Sequence, residues 1–466
     1  MPNYRIRPDP VATTGDVLAG DASCRGRDRI YLGLLAESGA RRQLWLDVTG
    51  EQVVAVIGKR GTGKSYTLGV LLEGLAAGQG SSNLADLSTP RSGLVLDIMD
   101  IFWSSQISLT DDGSAELKRQ FQTMLRGGLH SRQLNIDVWI PAGFEKPDID
   151  PGGIRSLTLR ACELNLDDWG ALFDVDIYTE PRGMLIADAL QHVSVDGYVR
   201  VDGTRVRAKA EFGFPDILAC LQDDVDIVNN YQDITRRSVR QRVTTYQGLA
   251  LFSDTGTALT DFLQAFRVSV LMLARLPDAL KRVVVAVLLR RIARDRRDAS
   301  LAQKRLDLDA SLERGEVRRL KSFIEARIPR TWVLMDEAHV LAGSGESSVA
   351  SEALIRYAKE GRNYGLSLAV ATQQPSALDA RLMSQVETLI AHQLTSPDDS
   401  AVAMRAMRSP APEEVVVDNS RTDVAGLLRR LGQGEAAFSS GNAPRLRRTC
   451  VVAVRPRITA HGGYEA

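Results

Sequence analysis

The sequence has little that would place the protein outside the cell or in a membrane. It contains only four cysteines in 466 residues, and no two of them form a CxxC pair: Cys24, Cys162, Cys220 and Cys450. Neither a zinc site nor a disulfide framework is therefore predicted. The longest apolar runs, residues 268–274 and 283–289, are much shorter than a bilayer span. The first ten residues contain no apolar stretch, so we expect no signal peptide and a cytoplasmic location.

An excess of charge of either sign is also missing. Lys plus Arg and Asp plus Glu both number 58, so the formal net charge is zero. A neutral protein is not expected to coat nucleic acid with its whole surface, but a basic lining confined to a channel remains compatible with this composition. Charge alone therefore excludes no nucleic-acid function.

The length and the pattern of apolar residues predict a large α/β core with additional parts. A single core seldom exceeds about 250–300 residues, so this length indicates two or three units. Strands alternate with helices over residues 51–150 and again over 331–466, which is typical of a parallel sheet with helices on both faces. Residues 151–330, with helical apolar spacing over 259–266 and 281–292, are interpreted as a mainly helical insertion. Residues 1–50 are predicted to form a short N-terminal β element.

A glycine-rich segment follows the apolar strand predicted over residues 53–57. Residues 58–65 read GKRGTGKS, which fits the P-loop (Walker A) pattern GxxxxGK[ST] between a strand and a helix. The glycines let backbone N–H groups approach phosphates, Lys64 adds a positive charge, and the Ser65 hydroxyl is suited to Mg²⁺. The alternative is a glycine-rich turn with an incidental lysine. The residues predicted to bind ATP are Gly58, Gly61, Thr62, Gly63, Lys64, Ser65 and Tyr66.

Two adjacent carboxylates end a second apolar strand, over residues 331–335. Ligands of open α/β sheets bind at the carboxyl ends of the strands, where Asp336 and Glu337 are expected to lie. We predict that Asp336 contributes to the magnesium site and that Glu337 orients and deprotonates the attacking water. A strand that simply meets solvent in acidic residues is the alternative. His339 is interpreted as a supporting residue rather than a catalyst, because hydrolysis of this kind needs a carboxylate.

A third segment completes the pattern. Residues 361–379 read GRNYGLSLAVATQQPSALD, and residues 431–437 read LGQGEAA. Together with the P-loop and the DEAH sequence at 336–339, these segments resemble HerA-type ATPases and, more distantly, the FtsK translocases. The resemblance runs from about Tyr31 to the end and is weakest in the helical insertion. It implies a RecA-like core that binds ATP and Mg²⁺.

The resemblance also implies a hexameric ring with ATP between subunits and DNA in the pore. Gln373 matches the family's sensor glutamine, and Arg362 is the expected arginine that reaches the neighbouring subunit's nucleotide. Arg356, Lys359 and Arg381 compete for that role, and a solvated arginine at a helix end is the alternative reading of Arg362. A trans arginine stabilises transition-state charge and couples neighbouring subunits.

Two features depart from the family pattern. The chain has little room for the complete N-terminal β-barrel that HerA-type proteins commonly carry. The segment that follows the second core strand, residues 97–101, also lacks the expected glutamate. Asp97 and Asp100 remain open between a supporting role at the magnesium site and simple polarity at a strand end.

The function predicted from the sequence is a ring-forming ATP hydrolase that translocates or remodels DNA. A separately encoded nuclease or other effector is the expected partner, because no second catalytic centre is recognisable. The alternative is an ATP-gated scaffold that organises and switches an effector in antiviral defence. A conjugation-type coupling ATPase is disfavoured because it would usually bring a membrane segment.

Overall fold

A computed structural model describes residues 2–11, 16–20, 28–37, 42–144, 153–345, 347–443 and 445–463. Cys24 lies outside these residues. The strands are β1 Tyr4–Arg7, β2 Val17–Ala19, β3 Arg29–Leu35, β4 Gln43–Asp47, β5 Val53–Ile57, β6 Gly80–Ser81, β7 Ala85–Leu87, β8 Arg91–Asp97, β9 Ile136–Pro141, β10 Arg155–Leu157, β11 Tyr198–Val199, β12 Arg205–Val206, β13 Arg267–Met272, β14 Arg330–Met335, β15 Leu366–Thr372, β16 Thr388–Ala391, β17 Glu414–Val417, β18 Ser420–Thr422, β19 Glu435–Ser440 and β20 Cys450–Val454.

The helices of the described residues lie between and after these strands. They are α1 Lys64–Leu75, α2 Ala115–Arg126, α3 Leu166–Phe173, α4 Pro181–Gln191, α5 Phe214–Asp223, α6 Val225–Asn230, α7 Asp233–Gln247, α8 Leu259–Phe262, α9 Asp278–Leu308, α10 Arg314–Glu325, α11 Val349–Tyr364, α12 Ala380–Met383, α13 Pro397–Ala406 and α14 Val424–Arg430. In the part of the chain that the structure describes, no helix combines the length and the apolarity needed to cross a membrane.

One large sheet forms the centre of the molecule. Its strand order is β10-β9-β13-β8-β14-β15-β5-β16-β19-β20-β3-β4-β2. Pairing is parallel from β10 to β16 and antiparallel from β16 through β4. The strand β15 lies between β5 and β14, so the segments that follow these three strands meet at one edge of the sheet.

Helices cover both faces of this sheet, as the sequence predicted. The strand β5 is buried throughout, and its side chains alternate between two cores because successive residues of a strand point to opposite faces. Val53, Ala55 and Ile57 pack on the face covered by α9 and α11. Val54 and Val56 pack on the face covered by α1. The α/β core with a parallel sheet is therefore confirmed.

The predicted insertion over residues 151–330 differs from the structure in one respect. The segment is mainly helical, with α3–α10, but β13 lies inside the central sheet between β9 and β8, and α9 packs on α11 over the core. The apolar spacing at 259–266 corresponds to a short helix, α8, followed directly by β13. A short buried apolar run has no period that distinguishes a strand from a helix. The outer domain boundaries stay a prediction.

The N-terminal residues extend the sheets rather than form a separate body. Strands β3 and β4 continue the antiparallel edge beside β20, and β1 pairs antiparallel with β17. A buried ion pair between Arg448 and Glu37 fixes this edge, and both side chains are 1% exposed. The short N-terminal β element is thus packed on the core.

Candidate nucleotide-binding site

The loop between β5 and α1 is held by side-chain hydrogen bonds to its own backbone. The Thr62 hydroxyl donates to the Lys59 carbonyl at 2.8 Å, and the Lys64 ammonium donates to the same oxygen at 3.1 Å. Burial lowers the pKa of Lys64, while the nearby Glu337 and Asp336 carboxylates act in the opposite direction. The lysine that the sequence assigned to phosphate binding is therefore buried at the site and close to the acidic pair.

A histidine forms the floor of this loop. A Cβ atom at Gly58 would lie 2.6 Å from His392 Cβ, and Gly63 has a φ of 119° with the His392 ring beneath it. His392 Nδ1 is 2.9 Å from the Glu435 carbonyl, so it carries the proton, and Nε2 accepts from the Thr67 hydroxyl at 2.9 Å. Burial lowers the pKa of His392 to about 4, so the ring is neutral at neutral pH.

The acidic pair lies at the end of β14 beside the loop. Asp336 and Glu337 are 1% and 7% exposed. Asp336 Oδ1 accepts the Glu337 backbone N–H at 2.9 Å. Burial raises the pKa of Asp336; a hydrogen bond from Ser65 opposes this rise, and the Glu337 charge adds to it. Asp336 Oδ2 is buried without a hydrogen-bond partner among the described residues.

The Glu337 carboxylate contacts Gln373, directly after the neighbouring strand β15, and His339 of its own segment. Its Oε1 accepts a hydrogen bond from Gln373 Nε2. Its Oε2 lies 3.4 Å from His339 Nδ1, and that nitrogen is 3.1 Å from the Thr372 hydroxyl. The backbone of Glu337 has a φ of 47°, which is uncommon for a residue with a side chain. The structure therefore brings Gln373 and Glu337 together next to the loop.

This arrangement fits Mg²⁺ and a nucleoside triphosphate. Carboxylate and hydroxyl oxygens are suitable ligands for Mg²⁺. Ser65 lies close enough to Asp336 to act on its pKa, and Asp336 Oδ2 has no hydrogen-bond partner among the described residues. Ser65 and Asp336 would hold the ion, which supplies positive charge next to the phosphates when bound. The backbone N–H groups at the start of α1 and the Lys64 ammonium are suited to the phosphate oxygens. The individual roles of these residues stay predictions.

Arg362 lies apart from this group. It is in the last turn of α11, its side chain is 62% exposed, and it forms an ion pair with Glu387. It precedes β15, whereas the P-loop follows the parallel neighbour β5. A strand length of about 15–20 Å therefore separates Arg362 from the P-loop of its own chain.

The Tyr66 side chain points away from the loop toward the C-terminal residues. Its hydroxyl accepts the Arg457 backbone N–H at 2.7 Å, and its ring meets the His461 ring edge-on at 5.3 Å. The backbone of Tyr66 belongs to the first turn of α1. Only that backbone remains suited to the predicted nucleotide contact.

Asp97 is bonded within its own turn. It is fully buried and accepts backbone N–H groups from Met99, Ile101 and Phe102 at 3.2, 3.1 and 2.7 Å. Burial raises the pKa of Asp97 to about 7 although these N–H groups oppose the rise. Burial also raises the pKa of Asp100. These hydrogen bonds within the turn favour the interpretation of Asp97 as a polar residue at a strand end over a supporting role at the magnesium site.

His192, Cys220 and Asp224 form a second cluster, whose ligand atoms lie within 4.8 Å of one another. His192 Nδ1 and Asp224 Oδ2 are 2.5 Å apart, and Asp224 also caps α6 through the Asp226 N–H at 3.0 Å. Tetrahedral zinc ligands about 2.0–2.3 Å from an ion lie more than 3 Å from each other. The cluster therefore has the geometry of a hydrogen-bonded helix cap.

His392 and the 433–434 turn were not recognised from the sequence as parts of this site. The turn reaches the loop through Gly434 N, which donates to the Thr62 carbonyl at 3.2 Å, and through Gln433 Nε2, which donates to the Gly61 carbonyl at 3.4 Å. Both contacts join residues that are about 370 positions apart in the chain. Only the pairing of β16 with β5 and β19 reveals them.

No protein-family model matches the chain. The DNA double-strand break repair helicase HerA of Pyrococcus furiosus is 23% identical over 427 residues, which are 89% of this chain and 67% of that protein. The probable DNA double-strand break repair helicase HerA of Methanocaldococcus jannaschii is 32% identical over 106 residues, covering 23% and 19% of the two chains. The match to HerA of Sulfolobus acidocaldarius also spans only 21% of that protein. These similarities confirm the resemblance to HerA-type ATPases.

Solved structures of similar overall extent were also found. VirB4 of Thermoanaerobacter pseudethanolicus has a TM-score of 0.48 at 14% identity, covering 96% of this chain and 98% of that chain. The plasmid coupling protein TrwB, in complex with ADP and Mg²⁺, has a TM-score of 0.43 at 12% identity, covering 94% and 96%.

Proposed function

We propose that this chain is a ring-forming ATPase that hydrolyses ATP to translocate or remodel DNA. The observation that carries the proposal is the contact between Gln373 and Glu337 beside the P-loop. It joins the segments that follow β15 and β14, and β15 is the direct neighbour of β5, which the P-loop follows. The Glu337 carboxylate, which would act on the attacking water, and the Gln373 amide, which contacts that carboxylate, thus both lie next to the phosphate-binding loop. This arrangement is suited to hydrolysis.

Glu337 acts on water in this proposal. Its carboxylate accepts a proton as the water oxygen forms a bond to the γ-phosphorus and the bond from that phosphorus to the bridging oxygen breaks. Gln373 fixes the carboxylate and reports whether the γ-phosphate is present. Lys64 neutralises phosphate charge. Ser65 and Asp336 hold Mg²⁺.

The position of Arg362 supports the proposal of a ring. A strand length of about 15–20 Å separates it from its own P-loop, which supports its proposed role at the nucleotide of another subunit. A closed ring places each arginine at a neighbour's site, and a hexamer is the assembly that the HerA resemblance implies. The DNA substrate is proposed from the names of the HerA relatives, helicases of DNA double-strand break repair.

The proposed partner is a separately encoded nuclease or other effector bound to one face of the ring. The recognisable chemistry of the chain is limited to ATP, and a symmetric ring offers repeated sites, so modest single contacts combine into a stable complex. Antiviral defence is one setting for such a pair, and DNA repair is the other.

The experiment measures ATP turnover with and without duplex DNA at low and moderate salt, with Lys64→Ala as the blank. We expect DNA to raise turnover several-fold and the stimulation to fall steeply between about 50 and 200 mM salt. Turnover that is indifferent to DNA but changes with a partner protein would instead indicate an ATP-gated scaffold.

A further inference from the structure

Arg362 and Glu387 form an ion pair in which the two partners are held very differently. Glu387 precedes β16, its side chain is 18% exposed, and its Oε2 accepts Asn442 Nδ2 at 2.9 Å. Its backbone N–H donates to the Val53 carbonyl at 2.9 Å, and its carbonyl accepts the Gly441 N–H at 2.8 Å. The carboxylate is thus anchored at both its backbone and its side chain.

The guanidinium of Arg362 is much freer. Its side chain is 62% exposed, and among the described residues Glu387 is the one partner found for it. A guanidinium has five N–H donors in a fixed plane, so the donors that do not face Glu387 remain open to solvent. Arg381 differs, because Asp379 and Glu352 both hold it.

We propose that Glu387 is a positioning residue that orients Arg362 toward the nucleotide of a neighbouring subunit. The inference rests on the proposed function, in which Arg362 acts in trans. A long arginine side chain has many rotamers in solution, and a fixed carboxylate on one edge of the guanidinium selects those that present its other edge outward. Glu387 itself touches no nucleotide.

The test is a double-mutant cycle on the assembled oligomer with Arg362→Ala, Glu387→Ala and the double variant. We expect Glu387→Ala to lower kcat about tenfold with little change in the KM for ATP, because orientation contributes in the transition state. The same substitution in the Arg362→Ala background should cause no further loss, since Glu387 then has nothing to orient. Glu387→Asp should recover part of the activity.

The control is Glu414→Ala, which removes the partner of another exposed arginine, Arg421, at 2.9 Å. It should leave kcat unchanged. Oligomer mass and thermal midpoint are measured for every variant, and Glu387→Gln, which keeps the side-chain size, replaces Glu387→Ala if the latter alters either.

The outcomes separate the two ideas. Wild-type activity of Arg362→Ala contradicts the trans arginine of the proposed function. Loss of activity in Arg362→Ala with full activity in Glu387→Ala overturns only the role of Glu387. If Glu387→Ala lowers kcat by the same factor in the wild type and in Arg362→Ala, the positioning role of Glu387 is overturned as well.

Discussion

Glu337 illustrates how single residues prepare the site. Its backbone adopts a left-handed conformation that costs about 1–3 kcal/mol for a non-glycine residue. Its carboxylate is buried, is bonded to Gln373, and lies close enough to Lys64 to act on the lysine's pKa. Strained backbone conformations of this kind are common at functional sites, where a side chain must be held in one orientation.

We therefore predict different defects for two substitutions at this site. Lys64→Ala should lose ATP binding, because the charge that neutralises the phosphates is removed. Glu337→Gln should bind ATP but turn it over at least about 100-fold more slowly, because the amide cannot accept the proton from water. Equilibrium binding of a fluorescent ATP analogue and steady-state phosphate release measure the two steps. Equal hydrolysis by Glu337→Gln and the wild type would remove Glu337 from its assigned role.

Much of the site could be read from the sequence because its parts are contiguous motifs. Residues 58–65 and 336–337 each form a short continuous motif, so the local sequence alone is enough to predict them as parts of the candidate site. His392 escaped recognition because its contacts with Thr67 and the Glu435 carbonyl arise only from strand pairing. Likewise, the ion pair of Arg362 with Glu387 joins two elements whose adjacency no local pattern specifies.

At the scale of elements, the helix that follows the P-loop is locked to the C-terminal residues. Glu73 in the last turn of α1 is 0% exposed, and Arg455 Nη1 donates to its Oε2 at 2.7 Å. Its Oε1 accepts the backbone N–H groups of Ile458 and Thr459 at 2.9 and 3.0 Å. Burial alone would raise the pKa of Glu73, but Arg455 and Arg457 outweigh it and hold the pKa below its usual value.

Glu73→Gln should destabilise the protein by about 3–5 kcal/mol, because it leaves two buried guanidinium groups without their counter-charge. The matched control is Glu116→Gln on α2, whose partner Arg119 is 72% exposed. A surface pair of this kind contributes about 0–1 kcal/mol. Chemical denaturation followed by circular dichroism compares the two. Similar denaturation midpoints for both variants would contradict the account of the buried network.

The elements themselves were predicted unevenly. The alternation of strands and helices around the P-loop indicated the parallel core, since each strand carries its own apolar run between turn residues. The strand β13 was assigned to a helical insertion because its neighbours in sequence are helices, whereas its partners in the sheet, β8 and β9, lie far away along the chain. Sheet order is set by those distant pairings, which the sequence pattern does not contain.

At the scale of the whole molecule, the proposed function divides the catalytic site between two neighbouring subunits. The P-loop, Asp336 and Glu337 lie at one edge, and Arg362 lies at the other. If Arg362 acts in trans as proposed, a subunit completes its site only with a neighbour, and a closed ring gives every subunit the same neighbour.

Subunit mixing tests this account most directly. Arg362→Ala and Glu337→Gln chains with different tags are co-expressed, and the mixed oligomers are purified through both tags and assayed for ATP turnover. Each variant alone should keep at most a small residual activity, whereas random mixing leaves about a quarter of the interfaces with neither lesion, so turnover should rise well above that of either parent. A mixture that stays as inactive as its parents at every ratio would contradict a site shared between neighbouring subunits.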